Sequence, residues 1–267
     1  MKASAGNFWK GKSVVITGSS RGIGRATANL LGRHGARIVL NGRNEKRLRE
    51  TAEELRSDGC EVLAESGDVC SREEMQRLVR HAEESYGGID ILINNAGISM
   101  RGPFREVTEA LARRLTEVNI LGSVLPTVAA LESITERRGA IAFISSAAGL
   151  RGFPNVSIYS ATKMALTGLA ESLGAELRQA GVTVGVYYLG FTENDPDKEI
   201  YNARGELIRV KRSWQHTQEE AAEEIADAIR KRKRRAVFTG QGKLLTIAQR
   251  LSPRLVDWAV QRASVHR

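Results

Sequence analysis

The chain has few of the residues that build disulfide scaffolds and metal sites. Its 267 residues include only two cysteines, Cys60 and Cys70, and four scattered histidines. Two cysteines cannot supply a four-thiolate zinc site, and the histidines lack ligand spacing, so we expect no metal. Sparse cysteine is typical of the reducing cytosol. We therefore expect a cytoplasmic protein with two unpaired thiols.

Long apolar runs are also missing. No stretch approaches about 18 consecutive apolar residues, so we expect no segment that crosses a bilayer. The opening residues, MKASAGNFWKGK, lack the apolar core of a secretory signal. Acids are outnumbered, with 31 Asp and Glu against 40 Lys and Arg, for a formal net charge of +9. Such a charge favours anionic partners. Because no nucleic-acid-reading motif accompanies it, we expect no nucleic-acid partner.

Hydrophobic periodicity predicts strands that alternate with helices. The predicted strands are 12–20, 36–42, 61–68, 89–97, 139–149, 182–190 and 236–240. The predicted helices are 21–35, 44–59, 71–86, 105–136, 157–181 and 217–233. This alternation predicts one α/β domain over residues 1–267, with a parallel sheet covered by helices on both faces.

A glycine-rich turn joins the first predicted strand to the first predicted helix. It reads Thr17-Gly18-Ser19-Ser20-Arg21-Gly22-Ile23-Gly24. Glycine lets a backbone approach a pyrophosphate, and a helix N-terminus offers free N–H groups and a positive dipole. The spacing G-x-x-x-G-x-G departs from the dinucleotide fingerprint G-x-G-x-x-G. A tight turn that binds nothing is the alternative.

The second predicted strand ends without an acid that could hold a ribose 2′-hydroxyl. The stretch reads Asn41-Gly42-Arg43-Asn44, and the first acid is Glu45. A carboxylate there would repel a 2′-phosphate, whereas an arginine can pair with it. Arg43, with Arg21 as a second candidate, therefore predicts NADP(H) rather than NAD(H). The alternative for Arg43 is a solvated surface residue.

Tyr159 and Lys163, in the stretch YSATK, share one face of the predicted helix 157–181. An unperturbed tyrosine has a pKa of about 10 and is a poor acid or base at neutral pH. A neighbouring ammonium favours the phenolate and lowers that pKa. The spacing alone fits either ordinary helix surface or the proton-handling end of an active site.

Together, five motifs over residues 12–192 make the sequence resemble the short-chain dehydrogenase/reductase family. The motifs include the glycine turn, Asn94-Asn95-Ala96-Gly97 and the pair Tyr159 and Lys163. The resemblance implies a single Rossmann-type, doubly wound domain with about seven parallel strands. It also implies hydride exchange between a nicotinamide and a small carbonyl compound or alcohol, in a homodimer or homotetramer.

The resemblance implies roles for individual residues. The implied cofactor contacts are Gly18, Ser20, Gly22, Ile23, Gly24, Asp68, Val69, Asn95, Ala96, Gly97, Tyr159, Lys163 and Thr192, to which the charge argument adds Arg21 and Arg43. The implied catalytic tetrad is Asn119, Ser146, Tyr159 and Lys163, with Ser146 and Tyr159 contacting the substrate. Ser146 is preferred to Ser145 because it stands 13 residues before Tyr159, the common family interval.

The implied mechanism is ketone reduction by NADPH, in which Tyr159 supplies the proton to oxygen. Lys163 lowers the pKa of Tyr159 and binds the nicotinamide ribose, and Ser146 polarises the carbonyl. Asn119 holds a water that relays protons towards Lys163. A regulatory or scaffold protein on the same fold and an NAD(H)-preferring dehydrogenase are the alternatives.

The C-terminal third departs from the regular pattern. Residues 191–216 occupy the place of the family's substrate loop, without a substrate signature, and Leu189-Gly190 replaces the Pro-Gly that often precedes it. Phe153 and Tyr188 are expected to form an apolar wall of the substrate site. These residues do not indicate which alcohol or carbonyl compound is the substrate.

Two cationic features follow. The run RKRKRR at 230–235 is expected to be the solvated end of helix 217–233, with nucleic acid or an anionic membrane as alternatives. The amphipathic extension 241–267 either packs on the domain or a second subunit, or lies on a bilayer surface. It is the candidate for peripheral membrane contact.

Overall fold

The computed structural model describes residues 6–193, 195, 198–210, 216–254, 256, 257 and 262. The remaining parts of the predicted substrate loop and of the C-terminal extension lie outside the described residues. The strands are β1 (Ser13–Ile16), β2 (Arg37–Gly42), β3 (Glu61–Ser66), β4 (Ile91–Asn94), β5 (Met100–Arg101), β6 (Ala140–Ser146), β7 (Thr183–Leu189), β8 (Glu199–Asn202), β9 (Leu207–Arg209) and β10 (Arg235–Val237).

The helices alternate with these strands. They are α1 (Gly6–Trp9), α2 (Gly22–Arg33), α3 (Glu45–Ser57), α4 (Arg72–Tyr86), α5 (Glu109–Thr116), α6 (Gly122–Glu136), α7 (Ser157–Glu176), α8 (Gln218–Arg230) and α9 (Gly240–Leu251). A π-helical turn, Glu117–Leu121, joins α5 to α6. Side-chain oxygens at Asn44, Ser71, Thr108 and Thr217 cap α3, α4, α5 and α8 by accepting a backbone N–H.

Seven of the strands form one parallel sheet in the order β10-β7-β6-β4-β1-β2-β3. The predicted doubly wound Rossmann architecture is confirmed. The short apolar runs become strands because both faces of such a sheet are buried. Predicted strands and helices are mostly two to five residues too long, because the turn residues at their ends leave the regular hydrogen-bond ladder.

Alternate residues of each strand point into two separate cores. In β1, Val14 and Ile16 pack with α2, α3 and α8, whereas Val15 packs with α4, α6 and α7. All three side chains are fully buried. Burial on both faces makes the strand register strict, because a slip of one residue would exchange the two cores.

Helical residues Glu109–Glu136 bear on the expectation that no segment crosses a bilayer. By length and composition this stretch is apolar enough to span a membrane, with a mean hydropathy of 1.4 over its best window. The stretch is not an uninterrupted apolar run, because Asn119, Ser123, Thr127 and Glu132 lie among its apolar residues. Half of the window is buried inside the protein, and buried core helices pass the same test, so the indication is weak.

Besides helix α9, which lies in the predicted extension, two elements were not predicted from the sequence. The first is α1, whose Trp9 is fully buried and contacts Phe8 edge-to-face at 4.9 Å between ring centroids. The second is a small sheet in which β8 pairs parallel to β5 and antiparallel to β9. Strands β8 and β9 lie within residues 191–216, the place of the predicted substrate loop. Its strands are short and form because β5 supplies a distant pairing partner.

Trp9 is expected to contribute strongly to stability. Replacing it with alanine removes a fully buried indole from the core of α2 and β1, so Trp9→Ala should lower the free energy of unfolding by about 3–5 kcal/mol. Urea denaturation followed by circular dichroism measures this loss. Phe104→Ala, at a side chain 67% exposed, is the control and should stay within about 0.5 kcal/mol of wild type. Equal effects of the two changes would contradict the assigned packing.

Candidate active site

The order of strands places a crevice at the carboxyl ends of β1 and β4. These strands are neighbours, but the helix that follows β1 covers one face of the sheet and the helices that follow β4 cover the other. Ligands of open parallel sheets bind in the crevice that such a divergence opens. The glycine turn follows β1, and Asn95-Ala96-Gly97 follows β4, so both motifs border it.

The glycine turn packs directly against the turn after β4. Gly18 has φ of +63°, and a Cβ there would lie 2.8 Å from the Cα of Ala96, so only glycine fits. The Asn95 amide donates to the carbonyl oxygens of Thr17 at 2.9 Å and Gly18 at 3.0 Å. Asn95 is thus a structural tie, and the first N–H groups of α2 beside it are suited to an anionic ligand.

Thr17 belongs to this junction and was not predicted. Its fully buried hydroxyl oxygen accepts the backbone N–H groups of Asn95 at 3.0 Å and Ala96 at 3.1 Å. A hydroxyl at the end of a buried strand is the signal that could have identified it. The remaining residues of the turn, Ser20, Gly22, Ile23 and Gly24, lie at the start of α2, at the same edge of the sheet.

The two predicted phosphate-binding arginines share one cavity of about 160 Å³. Arg21 and Arg43 line it together with Ile98 and Ser99 from the turn after β4 and with residues of the β8–β9 hairpin. The hairpin residues are Glu199, Tyr201 and Leu207. The hairpin within the expected substrate loop therefore lies over the crevice on its cofactor side.

Asp68 also lies near Arg43. Burial raises the pKa of its carboxyl, but the Cys70 N–H at 2.9 Å and the nearby guanidinium groups of Arg43 and Arg114 outweigh burial, so the pKa lies below its usual value. The nearest atoms of Asp68 lie 3.9 Å from Arg43 and 3.6 Å from Arg114. The adjacent Val69 is buried. Asp68 is ionised at neutral pH.

Lys163 is the most unusual charged group of the site. Its side chain is buried, its Nζ donates to the Ile144 carbonyl at 2.9 Å, and it lies 6.0 Å from the centroid of the Tyr159 ring. Burial, with a smaller contribution from Lys198, lowers the pKa of Lys163 to about 8. A Cβ on Gly97 would lie 3.2 Å from this Nζ. The structure therefore brings Tyr159, Lys163 and the turn after β4 together.

Asn119 fastens the same turn to α7 from the π-helical turn. Its Oδ1 accepts the Ile98 N–H at 2.8 Å, and its Nδ2 donates to the Ile98 carbonyl at 3.0 Å and the Thr162 hydroxyl at 2.9 Å. Both amide N–H groups are thus used. Any water that Asn119 holds must bind to one of its oxygens. Thr162 is a second residue that the sequence analysis missed.

The two serines at the end of β6 have different environments. Ser145 is buried and donates to the Lys163 carbonyl at 3.0 Å. Ser146 is half-buried, and its oxygen accepts the Ala148 N–H at 3.2 Å, which leaves its own proton available as a donor. This geometry favours Ser146 over Ser145 as the substrate-contacting serine.

The prediction that Tyr188 forms a wall of the substrate site is wrong. It is buried in the core on the face of α7, and its hydroxyl is hydrogen-bonded to Thr167 at 2.7 Å. Side chains within a strand of this sheet face the helices that cover it, whereas the crevice lies beyond the carboxyl ends of the strands. Phe153 is half-buried. Thr192 follows β7 and forms a bridge with His216.

An apolar cluster that was not predicted borders Tyr159. Its buried members are Met100, Leu111, Leu115 and Ala203, and partly buried side chains packed on them are Ile98, Val107, Ile158, Tyr159 and Tyr201. Tyr201 and Ala203 of the β8–β9 hairpin thus complete an apolar surface beside Tyr159. It joins three chain segments that lie about 50 residues apart, as is normal for tertiary packing.

Across the described residues, no group of three potential metal-ligating side chains occurs. Cys60 and Cys70 are free thiols. Burial raises the pKa of both, to about 11 for Cys70, so neither is a thiolate at neutral pH.

Comparison with known proteins agrees with this architecture. A family model described as short chain dehydrogenase matches residues 12–205. The 3-dehydrosphinganine reductase of Danio rerio is 38% identical over 202 residues, which cover 71% of this chain and 61% of that protein. The oxidoreductase YxnA of Bacillus subtilis is 32% identical over 261 residues, which cover 96% and 73%. The chain thus spans about three-fifths of the Danio rerio protein.

A solved structure shares the fold. It is a short chain dehydrogenase/reductase from Burkholderia phymatum in complex with NAD, with a TM-score of 0.81 and 24% identity over 92% of this chain and 95% of that one. At this identity the likeness establishes the fold alone. The family match, the sheet order and the crevice together support a nicotinamide cofactor. The chain belongs to the short-chain dehydrogenase/reductase family of oxidoreductases.

Proposed function

We propose that the protein reduces a ketone with NADPH, and oxidises the corresponding secondary alcohol in reverse, with Tyr159 as the acid–base. The observation that carries this proposal is the buried ammonium of Lys163 beside the Tyr159 ring. A positive charge in a low-dielectric pocket favours the phenolate form of a tyrosine beside it. A buried cation is costly to the fold, and perturbed groups of this kind cluster at functional sites.

The chain's own residues would handle the proton and the orientation of the substrate. The Tyr159 hydroxyl donates its proton to the ketone oxygen, and Lys163 stabilises the phenolate that remains. Ser146 donates a hydrogen bond to the same oxygen and holds the carbonyl in place. Asn119 keeps α7 in register with the turn after β4. When bound, the reduced nicotinamide supplies the hydride.

The proposed preference for NADP(H) over NAD(H) is supported by the cavity that Arg21 and Arg43 share. A 2′-phosphate placed there would face two guanidinium groups, which suit phosphate in charge and geometry. Glu199 also lines the cavity, but its carboxylate is paired with Arg209 at 3.6 Å. Asp68 competes weakly for Arg43 at 3.9 Å. Gly18, Asn95, Ala96 and Gly97 would support the rest of the nucleotide.

The substrate is proposed to be an amphiphilic ketone with a long alkyl chain. The apolar cluster beside Tyr159, including Ile158 and Tyr201, offers a surface for methylene groups. The Danio rerio relative is named for a ketone of this kind, 3-dehydrosphinganine. That compound is the first to test with this protein, beside a short-chain ketone.

Tyr159→Phe removes the proposed acid while keeping the ring. We expect kcat, measured from the loss of NADPH absorbance, to fall by at least about 100-fold. The affinity for NADPH, measured by its fluorescence, should stay within threefold of wild type. The matched control is Tyr86→Phe, at the end of α4 and outside the residues assigned to the crevice, which should keep most of the activity. Full activity of Tyr159→Phe would refute the assignment.

Arg43→Asp tests the cofactor preference. Replacing the guanidinium with a carboxylate should weaken NADPH binding by about 10- to 100-fold and leave NADH binding unchanged or stronger, because only NADPH carries the 2′-phosphate. Fluorescence titration with both nucleotides gives the two dissociation constants. Arg49→Asp, on the exposed face of α3, is the charge-matched control. Equal binding of NADPH and NADH by the wild type would exclude the preference.

The lowered pKa of Lys163 predicts that the stability of the folded protein depends on pH. The unfolded chain keeps this proton up to a pKa of about 10.4, whereas the folded protein without cofactor releases it at about 8. Between these values the unfolded state binds more protons, so this group makes the free energy of unfolding rise by roughly 1 kcal/mol per pH unit.

The comparison with Lys163→Met isolates that contribution, because other titrating groups cancel. Urea denaturation from pH 7 to 10 should show wild type gaining stability relative to the variant above pH 8. A difference that stays constant across this range would mean that the pKa of Lys163 is not lowered.

A further inference from the structure

An apolar stripe remains exposed along α9. Leu244, Ile247 and Leu251 are 67%, 56% and 80% exposed. Their spacing of three and four residues places them on one side of the helix. The opposite side packs on the domain, where Gly242 is buried close to Val237. Three large aliphatic side chains in a row differ from the single exposed residues that protein surfaces normally carry.

The structure divides the C-terminal extension into two parts. After Ser252, Val256 is buried and Asp257 pairs with Arg151, so this part is attached to the domain. The amphipathic face predicted for this part consists of Leu255, Val256, Ala259 and Val260, of which only Val256 is among the described residues. The exposed apolar surface is instead on α9 itself.

The first turn of α9 lies at the substrate end of the crevice. Its N-cap residue, Thr239, packs closely on Gly190. A Cβ added to Gly190 would lie 2.1 Å from the methyl group of Thr239. A Cβ on Gly242 would lie 3.9 Å from Leu150, which follows Ser146 in the chain. Phe191, next to Gly190, is 54% exposed. The stripe therefore begins beside the ends of the strands that carry the candidate active site.

The charges carried by the chain along the stripe have one sign. From residue 240 to residue 256 the chain carries three cations, Lys243, Arg250 and Arg254, and no acid. Helical spacing places the exposed Lys243 on one flank of the stripe. Asp257, the next acid, is the one that pairs with Arg151. An apolar stripe with a cationic flank is complementary to the surface of an anionic bilayer.

The basic run 230–235 is a separate feature. It precedes β10 and so lies at the amino edge of the sheet, opposite the crevice. Its charges are partly compensated, since Arg230 and Lys231 pair with Asp227 at 2.6 and 2.8 Å, and Arg232 donates to the Arg138 carbonyl. These contacts are those expected for the end of α8.

We infer that α9 docks the protein on an anionic lipid bilayer, with Leu244, Ile247 and Leu251 in the interface and Lys243 and Arg254 near the headgroups. Docking in this orientation places the substrate end of the crevice at the lipid surface. A ketone dissolved in the bilayer could then reach Tyr159 without crossing water. The docking surface itself does not depend on which substrate the protein uses.

Vesicle sedimentation with the full-length protein tests the inference. Vesicles of phosphatidylcholine, alone or with phosphatidylserine, are pelleted at low and high salt. We expect binding to the phosphatidylserine vesicles that weakens in high salt. The triple variant Leu244→Gln/Ile247→Gln/Leu251→Gln should bind at least about tenfold more weakly, because it removes the apolar contact area. Lys243→Gln/Arg254→Gln should lose roughly fivefold per cation.

Control variants separate docking from general surface stickiness. Phe104→Gln and Val128→Gln change exposed apolar residues away from α9 and should leave vesicle binding unchanged. The stripe variant should keep wild-type stability, NADPH affinity and turnover of a short-chain ketone in vesicle-free buffer. If neither wild type nor the stripe variant reduced the short-chain ketone, the proposed function would be contradicted, but the vesicle-binding result would still hold.

Three outcomes would overturn the inference. The wild type could fail to bind phosphatidylserine vesicles, or the stripe variant could bind as tightly as wild type. Alternatively, sedimentation velocity without lipid could show a dimer that only the stripe variant loses. That last result would assign the stripe to a second copy of the chain.

Discussion

The contact between the glycine turn after β1 and the turn after β4 is the constraint on which the site depends. The two backbones meet where Gly18 touches Ala96, and the buried hydroxyl of Thr17 binds both N–H groups of the second turn. Because β1 and β4 lie at the point where the sheet changes its helix-covered face, this contact also joins the two cores. A side chain at Gly18 would separate the turns and open the crevice floor.

From this contact, a chain of polar groups leads to the reacting end of the crevice. Asn119 binds Ile98 on one side and Thr162 on the other, and Lys163 follows Thr162 on α7. Polar networks that are fully satisfied hold their members rigidly. Lys163 is the exception, since among the described residues its buried ammonium donates to one carbonyl, that of Ile144 at 2.9 Å. We attribute this unfavourable placement to function, which proteins commonly favour over stability at active sites.

The part of the chain after β7 adapts the common scaffold. The β8–β9 hairpin pairs with β5 and closes over the cavity of Arg21 and Arg43, while its Tyr201 joins the apolar cluster beside Tyr159. On the other side, α9 packs on the ends of β6 and β7 and leaves its aliphatic stripe exposed. The polar cavity and the apolar cluster thus meet at Tyr159, an arrangement that fits the proposed long-chain ketone.

The sequence by itself determined the order of strands and helices, the family and the positions of the candidate site residues. Local periodicity and short motifs carry that information, because helices, buried strands and tight turns depend on neighbours within a few residues. The tertiary structure alone decided the features that need distant partners. These are the burial of Trp9, the pairing of β8 with β5, the inward position of Tyr188, the exposed stripe of α9 and the lowered pKa of Lys163, which depends on the protein that surrounds its ammonium.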